Sequence, residues 1–194
     1  FRPLASGVIS HNKAKITLFF FLFLSIYLGF LNNVLIILLI YFGLNIIYFF
    51  IIKKIKYLDI LLLSSFYIIR IYFGGELNNV EISLWLYTFC SLAFISLVII
   101  KRVNEIIKYK FLKVLYSIKD LYFLRLILNL SNVLSVVFLI FYFSSKKVTE
   151  IYLLPKFLWL FLPLYIFWMI NINRKALCGK MNDDPVTFVF TDKK

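Results

Sequence analysis

Two charged residues, Asp59 and Arg70, stand in a run that otherwise carries none, with ten uncharged residues between them. An ionised group inside a membrane-spanning helix costs about 3 kcal/mol even on mild insertion scales, so it requires a partner or a function. Eleven residues of helix turn through about 1100°, roughly 20° past three full turns, so the two side chains are expected on one face, about 16 Å apart. Either both organise a polar cavity, or Asp59 caps its helix while Arg70 snorkels outward toward Glu76. A second constellation is Lys101-Arg102-Val103-Asn104-Glu105. Two cations beside a carboxylate can hold a diphosphate together with Mg²⁺, which binds through one or two carboxylates plus phosphate oxygens. The same spacing also makes a plain basic anchor at a membrane surface. Arg125, Asn129 and Asn132 recur at helical spacing and are expected to face a bundle interior or a wet cavity, for substrate contact or interhelical hydrogen bonding. No nucleophile triad, zinc spacing, Walker loop or Rossmann glycine pattern is present, which leaves hydrolase and nucleotidase readings without support. Cys90 and Cys178 have no CxxC spacing and read as inert thiols, and His11 reads as a solvated loop residue.

The elements that must position these residues are long apolar runs, at 16–31, 34–52, 58–73, 82–100, 122–143 and 151–172. Each approaches the ~20 residues a helix needs to cross a bilayer core. Leu, Ile and Phe runs without period-2 alternation favour helices over a barrel. Asn32-Asn33 alone joins the first two runs, which predicts a tight helical hairpin, and Pro155 and Pro163 predict a kink in the sixth. Of the 194 residues 63% are hydrophobic and 16% charged, far too apolar for a soluble core, so the expected fold is an all-α polytopic bundle. Segments 1–15, 53–57, 101–121 and 173–194 hold most of the lysines and arginines, whereas the opposite loops hold Glu76, Glu81 and Glu150 with few cations. By the positive-inside rule the basic side, with both chain ends, is expected in the cytoplasm. The net charge of +13 is accordingly assigned to anionic lipid at a bilayer surface rather than to nucleic acid. Within 101–120, Ile107, Phe111, Val114 and Leu115 alternate with lysines, as a surface amphipathic helix or a simple basic loop would. No cleavable signal peptide is visible, and the opening Phe1-Arg2-Pro3 is expected to continue from an upstream segment.

Several stretches, taken together, resemble the UbiA prenyltransferase superfamily, in its decaprenyl-phosphate phosphoribosyltransferase-like branch. Arg2-Pro3-Leu4-Ala5-Ser6-Gly7-Val8-Ile9-Ser10 resembles the RPxASGxIS segment that follows that superfamily's first aspartate-rich motif. Tyr48, Lys53, Asp59, Phe66, Arg70, Gly74 and Gly75 fall on the branch's next pattern. Ile82-Ser83-Leu84-Trp85-Leu86 with Thr88-Phe89, Lys101-Arg102 with Glu105, and Asp184-Pro185 with Asp192 fall on the later ones. The chain departs at Phe49, at Ser65 and at the ending Asp192-Lys193-Lys194, and it carries no DxxxD in the 101–121 loop, where aromatic prenyltransferases of the superfamily have one.

The resemblance implies one integral membrane domain over 1–194, six spans of a nine-helix bundle, with the main metal-binding aspartates upstream of Phe1. It implies transfer of 5-phosphoribosyl from phosphoribosyl diphosphate to a polyprenyl phosphate at the cytoplasmic face of the plasma membrane, with Mg²⁺. Under it Glu105 and Asp59 are the expected catalytic residues, with Glu105 also a metal ligand. Arg2, Lys53, Lys101 and Arg102 would bind phosphate, and Tyr48 and Arg70 would shape the cavity, to which the spacing alone adds Arg125 and Asn129. The alternatives are prenyl transfer onto an aromatic acceptor and a non-enzymatic multi-pass protein or transporter.

Overall fold

A computed structural model describes residues 7, 10–108 and 115–179. Helix α1 (His11–Leu31) runs into α2 (Leu35–Phe50), which ends in a 3₁₀ turn, Ile52–Lys54. Then follow α3 (Leu58–Asn78), α4 (Leu84–Lys108), α5 (Asp120–Phe143) and a short α6 (Lys146–Ile151). A second 3₁₀ turn, Pro155–Leu160, leads directly into α7 (Phe161–Leu177). Six of these segments are long and apolar enough to cross a membrane, the last being Pro155–Leu177 as one unit. The chain is an all-α, multi-pass bundle, with no strand among the described residues.

Local chemistry sets the ends. Ser10 accepts from the Lys13 amide at 3.4 Å and caps α1, so His11 is the first helical residue rather than a loop residue. At the predicted hairpin Asn33 takes φ 57°, a left-handed conformation that Asn tolerates better than most residues, and the Val34 amide reaches back to Gly29 O at 3.0 Å. Gly29 is buried where α1 meets α2, with the Leu35 Cα 3.6 Å from where a Cβ would stand. Asn79, at φ 51°, closes α3, and Ser83 Oγ accepts from the Leu86 amide at 3.2 Å to open α4. The sixth span differs from expectation. Pro155 begins its 3₁₀ turn and Pro163 lies in the first turn of α7, where the missing N–H costs nothing, so the prolines shape the entry rather than kink a mid-span helix.

The core lies where α4 packs against α5, α3 and α7. Near one end Ile60, Ile99, Ile100, Val103, Leu124, Leu128, Ile172 and Ala176 interlock. Toward the other end Leu139, Tyr142, Phe143, Val148, Tyr165 and Met169 form a second cluster. Ser96, Ser131 and Ser135 are buried, and each hydroxyl bonds a carbonyl three residues back in its own helix. Small residues with satisfied hydroxyls let helices approach closely in lipid, where helix association relies on packing. The exposed surface is dominated by Phe, Leu and Ile, as a face against acyl chains requires. Within α2 nothing is buried by the rest of the chain.

Candidate functional site

Asp59 is the centre of the site. It lies in the first turn of α3, where the helix dipole favours a carboxylate, yet it does not cap the helix: its side chain is fully buried and turned toward α4. One oxygen, Oδ2, lies 2.7 Å from Arg102 Nε. The two do not align as a hydrogen bond, so the contact is an ion pair held by charge. Arg102 Nη1 donates to Glu105 Oε2 at 2.6 Å, the i,i+3 spacing placing both on one face of α4. The Tyr48 hydroxyl of α2 lies within reach of the fields of Arg102, Asp59 and Glu105. One guanidinium is thus shared by two carboxylates, for a net charge of −1 inside a basic rim.

A segment just before α5 closes over this group. Tyr116 is buried; its phenol donates to Asp59 Oδ1 and accepts from the Tyr57 amide at 2.8 Å. Burial, and next the hydrogen bond to the Asp59 carboxylate, push the Tyr116 phenol far above its usual range, so it stays a donor. Lys56 Nζ meets Asp120 Oδ2 at 2.6 Å, and the same carboxylate caps the Ser117 amide at 2.7 Å. These contacts tie the α2–α3 connection to the start of α5, so 53–57, the end of α4 and the start of α5 share one end of the bundle.

The remaining expected site residues are distributed around this centre. Lys101 is half-buried and Lys53 exposed, its Nζ 4.1 Å from the centre of the Phe49 ring; neither forms an ion pair with a described residue. Phe66 is buried with its ring edge-on to Tyr41 and Tyr48. Arg70 neither joins Asp59 nor snorkels toward Glu76. It donates to Tyr41 Oη on α2 at 2.7 Å and lies over the Tyr41 and Tyr67 rings. Sharing a helix face does not bring it to the site, because Asp59 turns into the α4 contact while Arg70 turns to α2. Of the polar stripe expected to face a bundle interior or a wet cavity, Arg125 and Asn129 are exposed, whereas Asn132 is half-buried with its Oδ1 enclosed. The buried face of α5 is Leu124, Leu128, Ser131 and Ser135, so Arg125 and Asn129 each sit one residue, about 100°, round the helix from it. Arg2, the segment from Tyr109 to Val114 within the amphipathic reading, and Asp184, Pro185 and Asp192 lie outside the described residues.

The donor set does not suit a metal by itself. Among the described residues there is no group of three or more His, Cys, Asp or Glu side chains placed to hold an ion. Asp59 is engaged by the Arg102 ion pair and the Tyr116 phenol, and Glu105 by Arg102 Nη1. Sequence reasoning missed Tyr116, Tyr57, Lys56 and Asp120. Their only signal was the basic and aromatic character of two neighbouring loops, in a chain with 13 tyrosines.

The chain matches no family model. Over 168 residues, 79% of its length, it is 28% identical to a protein of Sinorhizobium fredii (strain NBRC 101917 / NGR234) named "Uncharacterized protein y4nM". That stretch is 31% of the relative, so the chain spans about a third of a longer protein whose name assigns it no activity.

Proposed function

We propose that this chain is part of a UbiA-like membrane transferase that moves a 5-phosphoribosyl group from phosphoribosyl diphosphate to a polyprenyl phosphate at the basic end of the bundle. The observation that carries the reading is the convergence of Tyr48, Asp59, Arg102 and Glu105, drawn from separate stretches of the resemblance, around one guanidinium. Arg102 and Glu105 meet by helical spacing alone, but Asp59 and Arg102 stand 43 positions apart, and the packing of α3 on α4 brings them together. In the reaction an oxygen of the lipid phosphate attacks the anomeric carbon, the bond to diphosphate breaks, and diphosphate leaves with the bonding electrons. Positive charge develops on the ribose, and the net −1 of Asp59, Arg102 and Glu105 favours it. Among the described residues Lys101 and Lys53, outside that ion-pair cluster, are the cations offered to phosphate oxygens. Arg102, committed to two carboxylates, orients them rather than gripping phosphate. An apolar cavity of about 640 Å³ among Tyr57, Ile60, Leu61, Ile95, Ile99 and Phe123 offers room for part of a prenyl tail.

The test uses membranes carrying the full-length protein, labelled phosphoribosyl diphosphate and a polyprenyl phosphate. Lipid-linked label that requires both substrates is the expected result. Prenyl transfer to an aromatic acid instead, or no transfer of either kind, overturns the reading. In an active preparation Glu105→Gln is expected to cut the transfer rate at least tenfold, a typical loss for a group acting on developing charge; an unchanged rate removes Glu105 from the mechanism.

A further inference from the structure

We infer that Tyr116 is a positioning residue that fixes the Arg102 guanidinium through Asp59. The inference deepens the transfer reading and rests on it for its kinetic consequence alone. One hydroxyl does two things here: it accepts the Tyr57 amide at 2.8 Å and donates to Asp59 Oδ1. Tyr57 needs the first of these. At φ 66° it occupies a left-handed conformation that is rare and costly for a bulky aromatic residue, and such strain persists only where surrounding contacts over-determine it. Strained turns of this kind cluster at functional sites. Asp59 needs the second. Its carboxylate is fully buried, so water does not replace a lost donor, and its other oxygen holds Arg102 Nε at 2.7 Å. Arg102, so turned, presents Nη1 to Glu105 at 2.6 Å. Tyr116 therefore sets the beginning of α3 and the orientation of the shared guanidinium with a single oxygen.

The geometry also makes a clean substitution available. The Tyr116 ring packs edge-on to Tyr57 with 5.8 Å between centroids, and Tyr116→Phe leaves that contact in place. The segment is held separately by Lys56 with Asp120 at 2.6 Å and by the Ser117 amide on the same carboxylate at 2.7 Å. Loss of the hydroxyl is then felt at the Asp59 carboxylate and the Tyr57 amide rather than across the whole loop.

The experiment compares the full-length wild type, Tyr116→Phe, Asp59→Asn and the double variant. An arginine-selective dicarbonyl reagent is applied, and the rate of modification at Arg102 is followed by peptide mass spectrometry. Tyr116→Phe is expected to speed modification about tenfold or more, the order expected for losing a hydrogen bond to a charged group. Asp59→Asn is expected to speed it by at least as much, and adding Tyr116→Phe to Asp59→Asn changes nothing further. Equal rates in wild type and Tyr116→Phe overturn the inference, as does an additive acceleration in the double variant. Asp59→Asn with the wild-type rate overturns it too, whatever the yield of Tyr116→Phe. In transfer assays Tyr116→Phe is expected to lower kcat/KM about 10- to 100-fold. If the wild type transfers no phosphoribosyl group, the transfer reading alone falls, and the modification rates still decide the role of Tyr116.

Discussion

At the scale of single residues the decisive quantity is the charge on Asp59. Its side chain has no exposure, and a carboxylate in that position is tolerable only because Arg102 and Tyr116 compensate it. Removing one partner of a buried pair costs about 3–5 kcal/mol, chiefly because the other charge is left unbalanced. Arg102→Met is therefore expected to destabilise strongly, while Asp59→Asn, which leaves Arg102 paired with Glu105, is expected to cost less. Combining the two removes the stranded carboxylate and should recover part of the loss, because Glu105 is partly exposed and solvates its own charge. Thermal denaturation of the three variants in one detergent measures this. Additive losses would show that Asp59 and Arg102 do not depend on one another. The pair was half visible in the sequence. Arg102 and Glu105 sit at i,i+3, a spacing any helix converts into contact, but the partner of Asp59 is 43 positions away and only the packing of α3 on α4 selects it.

At the scale of elements, Gly74 and Gly75 look equivalent in the sequence and are not so in the fold. A Cβ on Gly74 meets nothing within 4 Å, whereas one on Gly75 would stand 2.8 Å from Ile82 Cδ1 and 3.1 Å from the Val80 carbonyl oxygen. The chain turns back toward α4 at Asn79, and the bare backbone of Gly75 near the end of α3 lets 80–82 close against it. Gly74→Ala is expected to be neutral or stabilising by up to about 1 kcal/mol, the helix-propensity gain of alanine over glycine. Gly75→Ala forces Ile82 aside, and Gly75→Val is expected to cost about 1–3 kcal/mol by overpacking. Equal melting temperatures for Gly74→Ala and Gly75→Val would contradict the close approach. The same contrast explains what was legible. Hydropathy runs gave six spans, and Asn32-Asn33 gave a hairpin, since length and turn chemistry are local properties. For Arg125 and Asn129 the spacing showed a shared stripe but not which side of α5 the neighbouring helices occupy, because a helix of uniform apolar character marks where polar residues lie and not what packs against them. Tyr116 was invisible because its role depends on a loop meeting a turn 59 positions earlier.

At the scale of the whole molecule the distribution of charge predicts a direction that the bundle geometry alone leaves open. The end formed by 53–57, the close of α4 and the close of α7 holds Lys53, Lys54, Lys56, Lys101, Arg102, Lys108, Arg174 and Lys175. The other end holds Glu76, Glu81 and Glu150 with only Lys146, Lys147 and Lys156, Lys147 being paired to Glu81 at 3.1 Å. Exposed pairs of that kind contribute little, so Lys147 is a harmless site to alter, and Lys54 is likewise exposed. Short basic connections are retained on the cytoplasmic side during insertion, which predicts that the Arg102 centre faces the cytoplasm. The check places a single cysteine at either position after Cys90→Ser and Cys178→Ser have removed the native thiols. A membrane-impermeant maleimide applied to intact cells should label Lys147→Cys and spare Lys54→Cys until the membrane is permeabilised. The opposite pattern would invert the bundle and set the Arg102 centre on the outer face. Labelling of both from outside would break the alternation of six spans, on which the shared end of 53–57, α4 and α5 depends. Lys56 held to Asp120 and Asp59 held to Arg102 require those three segments to meet at one surface, so packing demands that they share a side, and charge alone selects the cytoplasmic one.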